Sequence, residues 1–362
     1  MRLGTLLIVS PGELGTNVLE AAGRSGLFDR IVVGSRSIEK ARGRIHNAML
    51  GCGLEGRFPC FEAVDFDLND PASARLLRSL DPDVVFCAPS LRPWWKMGGS
   101  DAKPSKAARV PFGGFVSLQL APMAAFRDRF AESGVAATWV AASFPDVVNP
   151  SLWRSGRGPS FGVGNVQEPV PKLQILIGRE LAVPPSDVKV KLVAQHAFEY
   201  FIFRDRPPDL LPPHRLKVTV HGEDQTPLGE RVLREPFTFP YDLHFNRITA
   251  SATIAALRAL ASQGPSELHL PGILGLVGGF PVVIEHGAIR LNVAPDWTEE
   301  DAVATNEASL PYDGLERIEA DGTIIFTREA IAALRELTGA TLDHVRPGRA
   351  ADQAEVILNA LN

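Results

Sequence analysis

Two stretches of the 362-residue chain carry residue types that could do chemistry. The first is Ser10-Pro11-Gly12-Glu13-Leu14-Gly15, directly after the apolar run Thr5–Val9. A dinucleotide fingerprint wants glycine at its first, third and sixth places. They serve a tight turn, close approach to a pyrophosphate, and close helix–strand packing. Gly12 and Gly15 meet the second and third demands, while Ser10 holds the first place. With Glu13 and Leu14, they are candidates to offer backbone N–H groups to phosphates at a helix N-terminus. A glycine-containing strand–helix turn without any ligand is the plainer reading. About twenty residues on, where an NAD site carries Asp or Glu for the ribose hydroxyls, the chain reads Gly34-Ser35-Arg36-Ser37. A hydroxyl beside a guanidinium suits a 2′-phosphate through charge-assisted hydrogen bonds. Ser35 and Arg36 therefore predict NADP, with NAD possible.

The second stretch starts at Gly164-Asn165-Val166-Gln167-Glu168 and ends at Gln195-His196. Between them lie a helical segment, Leu173–Leu181, and an alternating one, Val188–Ala194. That spacing brings a carboxylate, Glu168, and a cation, Lys172, from a helix start to the end of a strand carrying a histidine. Taken alone, a single histidine at a strand end is more often a satisfied structural residue.

These residues need a scaffold. Thr5–Val9, Arg30–Gly34, Phe61–Phe66, Asp83–Cys87 and Ala136–Ala142 read as strands. Gly15–Gly26, Ile38–Leu50, Pro71–Leu80 and Phe115–Ser133 between them read as helices. This alternation predicts an α/β fold with an N-terminal doubly wound parallel (Rossmann) sheet. Leu91–Gly114 is irregular, and its Trp94-Trp95 pair suits a lid over a bulky substrate or a loop anchor equally well. Asp146–Pro150 closes the first unit, giving a dinucleotide-binding domain over 1–148. The remainder, 149–362, is an α+β domain for substrate and oligomerisation. Its strand candidates are Val188–Ala194, Arg215–Val220, Arg231–Thr238, Leu268–Leu270, Gly279–Glu285 and Ala288–Leu291. Its helix candidates are Leu173–Leu181, Ile248–Ser262, Arg328–Leu337 and Ala350–Leu361.

Over residues 4–296, and most densely over 145–197, the chain resembles the lactate/malate dehydrogenase family. The stretch GNVQEPVPKLQILIGRELAVPPSDVKVKLVAQHAFE is similar to the family's GNVLDSARxR segment and the strand leading to its histidine. Pro145–Pro150 looks like its NP strand end, and Gly34-Ser35-Arg36-Ser37 is similar to the GS-x-x-S of NADP-using malate dehydrogenases. Leu268–Val293 resembles the family's C-terminal sheet. The resemblance implies reduction of a 2-oxo acid or related ketone, with His196 as acid/base and Glu168 in place of the family's aspartate. It implies that Asn149 hydrogen-bonds the substrate oxygen on the cofactor side, and that Ala88 and Pro89 line the cofactor. Arg92 takes the first arginine place of the mobile loop. Lys172 is the candidate for the substrate carboxylate, four places after Glu168 where the family has arginine at three. Lysine cannot make arginine's bidentate fork. Thr249 and Ser251 fall where the family shapes its substrate pocket. A homodimer or homotetramer is implied.

Composition limits the remaining classes. The net charge of −5 gives no basic footprint, so nucleic-acid binding is not expected. Cys52, Cys60 and Cys87 form no CxxC pair, and none of the eight histidines shows metal spacing, so no metal is expected. No apolar run reaches membrane-spanning length, and the cytosol is the expected compartment. Related glycosidases use a Cys and a His as metal ligands in the catalytic half, which these cysteine positions do not match. A catalytically altered or non-catalytic NAD(P)-binding homologue is the alternative to the dehydrogenase.

Overall fold

The computed structural model describes residues 2–97, 105–203, 210–240 and 242–362. Part of the irregular segment Leu91–Gly114, and Arg204-Asp205-Arg206, whose charges and following prolines suggest a solvated turn in the sequence, lie outside the described residues.

The chain begins as a Rossmann unit. Its elements are β1 (Thr5–Val9), α1 (Glu13–Ser25), β2 (Arg30–Ser35), α2 (Ile38–Leu54), β3 (Cys60–Asp65), α3 (Ala72–Leu80), β4 (Val84–Cys87), α4 (Ser117–Ser133), β5 (Thr138–Ala141), α5 (Pro145–Arg154) and β6 (Phe161–Gly162). The six strands are parallel, in the order β3-β2-β1-β4-β5-β6. Strand β1 is apolar throughout because both faces are covered, which is why no alternation shows in its sequence. The order reverses between β1 and β4, the place where sheets of this kind leave a crevice beyond the strand ends. The sheet continues to Phe161–Gly162, past the change of pattern that the sequence suggests at residue 148.

The second part comprises α6 (Pro169–Leu181), β7 (Val188–Val193), α7 (His196–Ile202), β8 (Arg215–Val220), β9 (Glu223–Asp224), α8 (Thr226–Val232), α9 (Asn246–Ala261), β10 (Ser266–Pro271), β11 (Gly279–Glu285) and β12 (Ala288–Leu291). It ends with α10 (Glu299–Ser309), β13 (Leu315–Ile318), β14 (Ile324–Phe326), α11 (Arg328–Thr338), β15 (His344–Val345) and α12 (Ala350–Leu361). Three small antiparallel sheets, β7-β8-β9, β10-β11-β12 and β13-β14-β15, complete the fold. Pro169 and Pro171 do not disturb α6; they occupy its first turn, where no intrahelical N–H donor is required.

One expected strand is corrected. Arg231–Thr238 begins inside α8, which Thr226-Pro227 starts. Val232 and Leu233 are both buried, and Arg231 pairs with Glu235 one helical turn on. Gly229 lets α8 lie directly on β8, where an added Cβ would sit 2.7 Å from a Val218 methyl.

The last elements fold back onto the first. Leu315, Ile324, Phe326, Leu334 and Ile357 share one apolar core with Leu7, Val85, Phe126 and Trp139 of the Rossmann unit. On the other side of the sheet, α9 joins the core beneath α1 and α2. Residues far apart in sequence thus meet on both faces of the parallel sheet.

Candidate active site

The loop from β1 into α1 has the form that a phosphate cradle requires. Ser10 adopts the left-handed conformation, φ 54°, which glycine would enter without strain at this place. Its N–H bonds Gly34 O at 2.9 Å and its carbonyl accepts from Gly12 N at 2.8 Å. Gly12 precedes α1, and no side chain caps the helix there. A Cβ added at Gly12 would meet nothing within 4 Å, so the space over the helix N-terminus is open. Gly15 packs closely, with an added Cβ 3.4 Å from Pro11 and 3.6 Å from Ile8. Glu13 and Leu14 lie in the first turn of α1. At the end of β2, Ser35 Oγ accepts from Ser37 N at 3.1 Å. Arg36 is exposed and has no ion pair among the described residues. Ala88 and Pro89 follow β4, and Ser143 Oγ donates to Pro89 O at 2.7 Å. The residues present fit a dinucleotide.

Beyond the same edge of the sheet lies a cluster of acids around one imidazole. His196 is not a strand residue; it opens α7, with the Gln195 side chain accepting from Ala197 N at 2.8 Å as the helix cap. His196 Nδ1 lies 3.0 and 3.1 Å from the two Asp313 carboxylate oxygens. Gln195 Nε2 also donates to Asp313, at 2.7 Å. The His196 backbone N–H donates to Asp146 Oδ1 at 3.0 Å, and Asn165 Nδ2 donates to Asp146 Oδ2. Asp146 sits in the first turn of α5, where the helix dipole favours a carboxylate. Two rings flank the imidazole: Phe112 stacks at 4.5 Å and Phe144 meets it edge-on at 4.8 Å. Phe144 is held at φ 48°, a costly conformation for so bulky a residue, as the chain leaves β5. Phe112 is brought there because Gly113 packs on the Asp313 backbone, where a Cβ would lie 2.5 Å from the carbonyl.

Glu168 does not bond the imidazole, as the resemblance implies it should. Its Oε1 accepts from Thr249 Oγ1 at 2.6 Å and its Oε2 from Asn165 N at 3.1 Å. It also faces the Glu199 carboxyl, with which it shares a hydrogen bond. Glu168 is one residue of a buried acid pair, and Asp313 is the carboxylate on the histidine.

Asn149 and Lys172 lie elsewhere than expected. The strand leaving the sheet ends at Ala141, and Asn149-Pro150 falls inside α5. There the Asn149 amide donates to Gly272 O at 3.2 Å, fastening α5 to the loop after β10. Lys172 is 2% exposed, and its ammonium donates to Ile202 O at 3.1 Å and Leu233 O at 2.8 Å. It closes two helix ends inside the β7–β8 core rather than facing His196. Arg92 Nε donates to Lys96 O at 3.0 Å within its own loop. The Trp94 and Trp95 rings meet edge-on at 5.7 Å, and Trp94 also meets Phe245 at 6.3 Å. Ser251 Oγ returns to Arg247 O on its own helix.

The electrostatics follow from burial and proximity. Burial pulls the His196 imidazole towards neutrality, but Asp313, Asp146 and Glu168 outweigh it and raise its pKa. Burial pushes Asp146 up to about 6 against the pull of His196 and Asn165. Glu168 is raised by burial, and Glu199 is raised further by burial and by the Glu168 charge. Both shifts favour the protonated form. Among the described residues, no group of three His, Cys, Asp or Glu could hold a metal, and no helix is long and apolar enough to cross a membrane.

Asp146, Glu199, Asp313 and Phe112 were not singled out by sequence. Asp146 and Glu199 had weak signals, following a strand end and lying one helical turn after His196. Asp313 had none, since only folding brings it to the histidine.

No family model matches the chain, and no curated protein matches it by sequence. Solved structures do match. A lactate dehydrogenase from a Medee basin deep-sea metagenome library is 14% identical, with a TM-score of 0.58 over 86% of this chain and 97% of that one. Malate dehydrogenase of Cryptosporidium parvum is 15% identical, with a TM-score of 0.58 over 86% and 98%. Malate dehydrogenase of Plasmodium falciparum, solved with NADH, is 9% identical, with a TM-score of 0.52 over 99% and 100%. At these identities the likeness establishes architecture: the chain has the fold of the lactate and malate dehydrogenases.

Proposed function

We propose that this protein is a nicotinamide-nucleotide-dependent oxidoreductase acting on a CH–OH/C=O group, with His196 as acid/base. The observation that carries the reading is the buried His196–Asp313 pair beyond the strand ends of a Rossmann sheet whose first loop has an open, uncapped helix N-terminus. Backbone N–H groups from Gly12 to Gly15 would hold the pyrophosphate. Ser35 and Arg36 favour NADP, because an exposed cation follows β2 where an acidic residue would repel a 2′-phosphate. When bound, the nicotinamide supplies or accepts hydride.

This chain's residues manage the proton. Asp313 accepts from His196 Nδ1, which fixes the tautomer and stabilises the imidazolium. Nε2 has no protein partner among the described residues and is available to a substrate oxygen. On reduction His196 gives its proton to the carbonyl oxygen; on oxidation it takes the proton back. The Asp146 bond to the His196 backbone, and the Phe112 and Phe144 rings, hold the imidazole in place.

The test is NADPH-dependent reduction of a panel of carbonyl compounds. Turnover by the wild type, lost about 10²–10⁴-fold in His196→Ala with cofactor binding retained, supports the reading. Nucleotide binding without turnover of any compound would instead make it a non-catalytic nucleotide-binding homologue.

A further inference from the structure

We propose that the His196 site is built for a carbonyl compound without a carboxylate: an uncharged ketone, aldehyde or ester with an apolar body. The inference rests on the oxidoreductase reading and names its substrate class. Four carboxyls surround one imidazole. Asp313 bonds the ring, Asp146 bonds the backbone N–H, and the Glu168–Glu199 pair lies close enough to both for their charges to act on one another. Among the described residues, no lysine or arginine pairs with any of the four. Lys172, the buried cation of this region, is directed at two carbonyls, and Arg92 turns back onto Lys96 O.

Glu199 sharpens the point. It is 4% exposed, and its Oε2 has no hydrogen-bond partner among the described residues. A second buried carboxyl, Glu168, is its neighbour. A substrate carboxylate here would lie among carboxyls that burial already holds back from ionising. Two other neighbours of the imidazole are aromatic. Phe112 and Phe144 lie on the imidazole. Trp94, Phe245, Phe239 and Phe203 form a connected run of ring contacts from the loop after β4 to the start of α9. Thr249, one turn further along α9, bonds Glu168, so the aromatic run and the acid pair share one support. Phe112 and Phe144 suit an apolar body and offer no hydrogen-bond donor to an anion.

The experiment compares ethyl 2-oxo-4-phenylbutanoate with 2-oxo-4-phenylbutanoate, using wild-type protein and NADPH. The two share the reacting carbonyl and the phenyl body and differ in charge. Separate titration of the protein with NADPH checks cofactor binding. The ester is expected to be reduced with a kcat/KM about 100-fold above the acid. An acid equal to or better than the ester overturns the proposal and leaves the oxidoreductase reading standing. Reduction of neither, with NADPH bound, overturns the proposal, and the oxidoreductase reading falls with it only if no other carbonyl compound of the panel is turned over.

Discussion

His196 Nδ1 lies 3.0 and 3.1 Å from the Asp313 carboxylate oxygens, across more than a hundred residues of sequence. Asp313 belongs to the segment that folds back after residue 297, beyond the resemblance to the dehydrogenase family. Gln195, next to the histidine, holds the same carboxylate. The acid that orients the imidazole thus comes from a late turn of the chain.

Asp313→Asn is therefore expected to lower kcat by about 10²–10⁴-fold. Cofactor affinity should not change. Because Asp313 raises the His196 pKa, the imidazole of the variant should titrate at lower pH, as followed by NMR of the ring protons. Unchanged kcat would remove Asp313 from the mechanism.

Gly12→Val separates folding from nucleotide binding. Gly12 has φ −75° and ψ −155°, an extended conformation open to any residue, and an added Cβ meets no atom within 4 Å. Stability should stay within about 0.5 kcal/mol of wild type. Nucleotide affinity should fall at least about tenfold, since the new side chain fills the space where backbone must approach the pyrophosphate. Equal affinity would place the nucleotide elsewhere.

Lys172→Met tests a role that sequence and geometry assign differently. Its ammonium holds two buried carbonyls, so the variant should lose about 1–3 kcal/mol of stability in urea unfolding. KM for the carbonyl substrate should be unchanged. A KM raised tenfold or more with stability intact would return Lys172 to the substrate.

His269 gives the acid limb of the stability profile. Its Nε2 accepts from Leu192 N at 3.0 Å, and burial, aided by Lys191, drives its pKa down to about 3. The folded pKa lies below the unfolded value of about 6.5, so the unfolded chain binds more protons between these limits. This contribution is present above pH 6.5 and is lost as pH falls towards 3. At pH 5 the loss is on the order of 2 kcal/mol. Asp146, raised by burial, acts in the opposite sense over part of the same range. The check is therefore a difference: between pH 7 and pH 5, His269→Gln should lose less stability than the wild type. Equal losses would contradict a neutral buried His269.

Much of the scaffold was legible because short-range patterns determine it. The continuous apolar run Thr5–Val9, the Gly12 and Gly15 spacing and the strand pattern of Val188–Ala194 each report a local environment. Arg231–Thr238 misled because Val232 and Leu233 look alike in either periodicity, and Pro227 set the helix. The site was legible only in part. His196 and the β1–α1 loop stand out by residue type and spacing. Asn149 stands out by type but not by place: it lies inside α5, with its amide on Gly272 O. Asp313 does not stand out at all, because its partner is chosen by the packing of the C-terminal elements on α4 and by Gly113 lying on its backbone.

The most direct test of the central claim is titration of the purified protein with NADPH and NADH, followed by cofactor fluorescence and by quenching of its tryptophans. Trp94 and Trp95 stand in the segment that follows β4 in the chain. Saturable binding of NADPH, weaker binding of NADH, and a narrowing of that difference in Arg36→Ala are the predicted results. Binding of neither nucleotide would contradict the account, because the open helix N-terminus at Gly12 would then have no nucleotide to hold and His196 no hydride chemistry to serve.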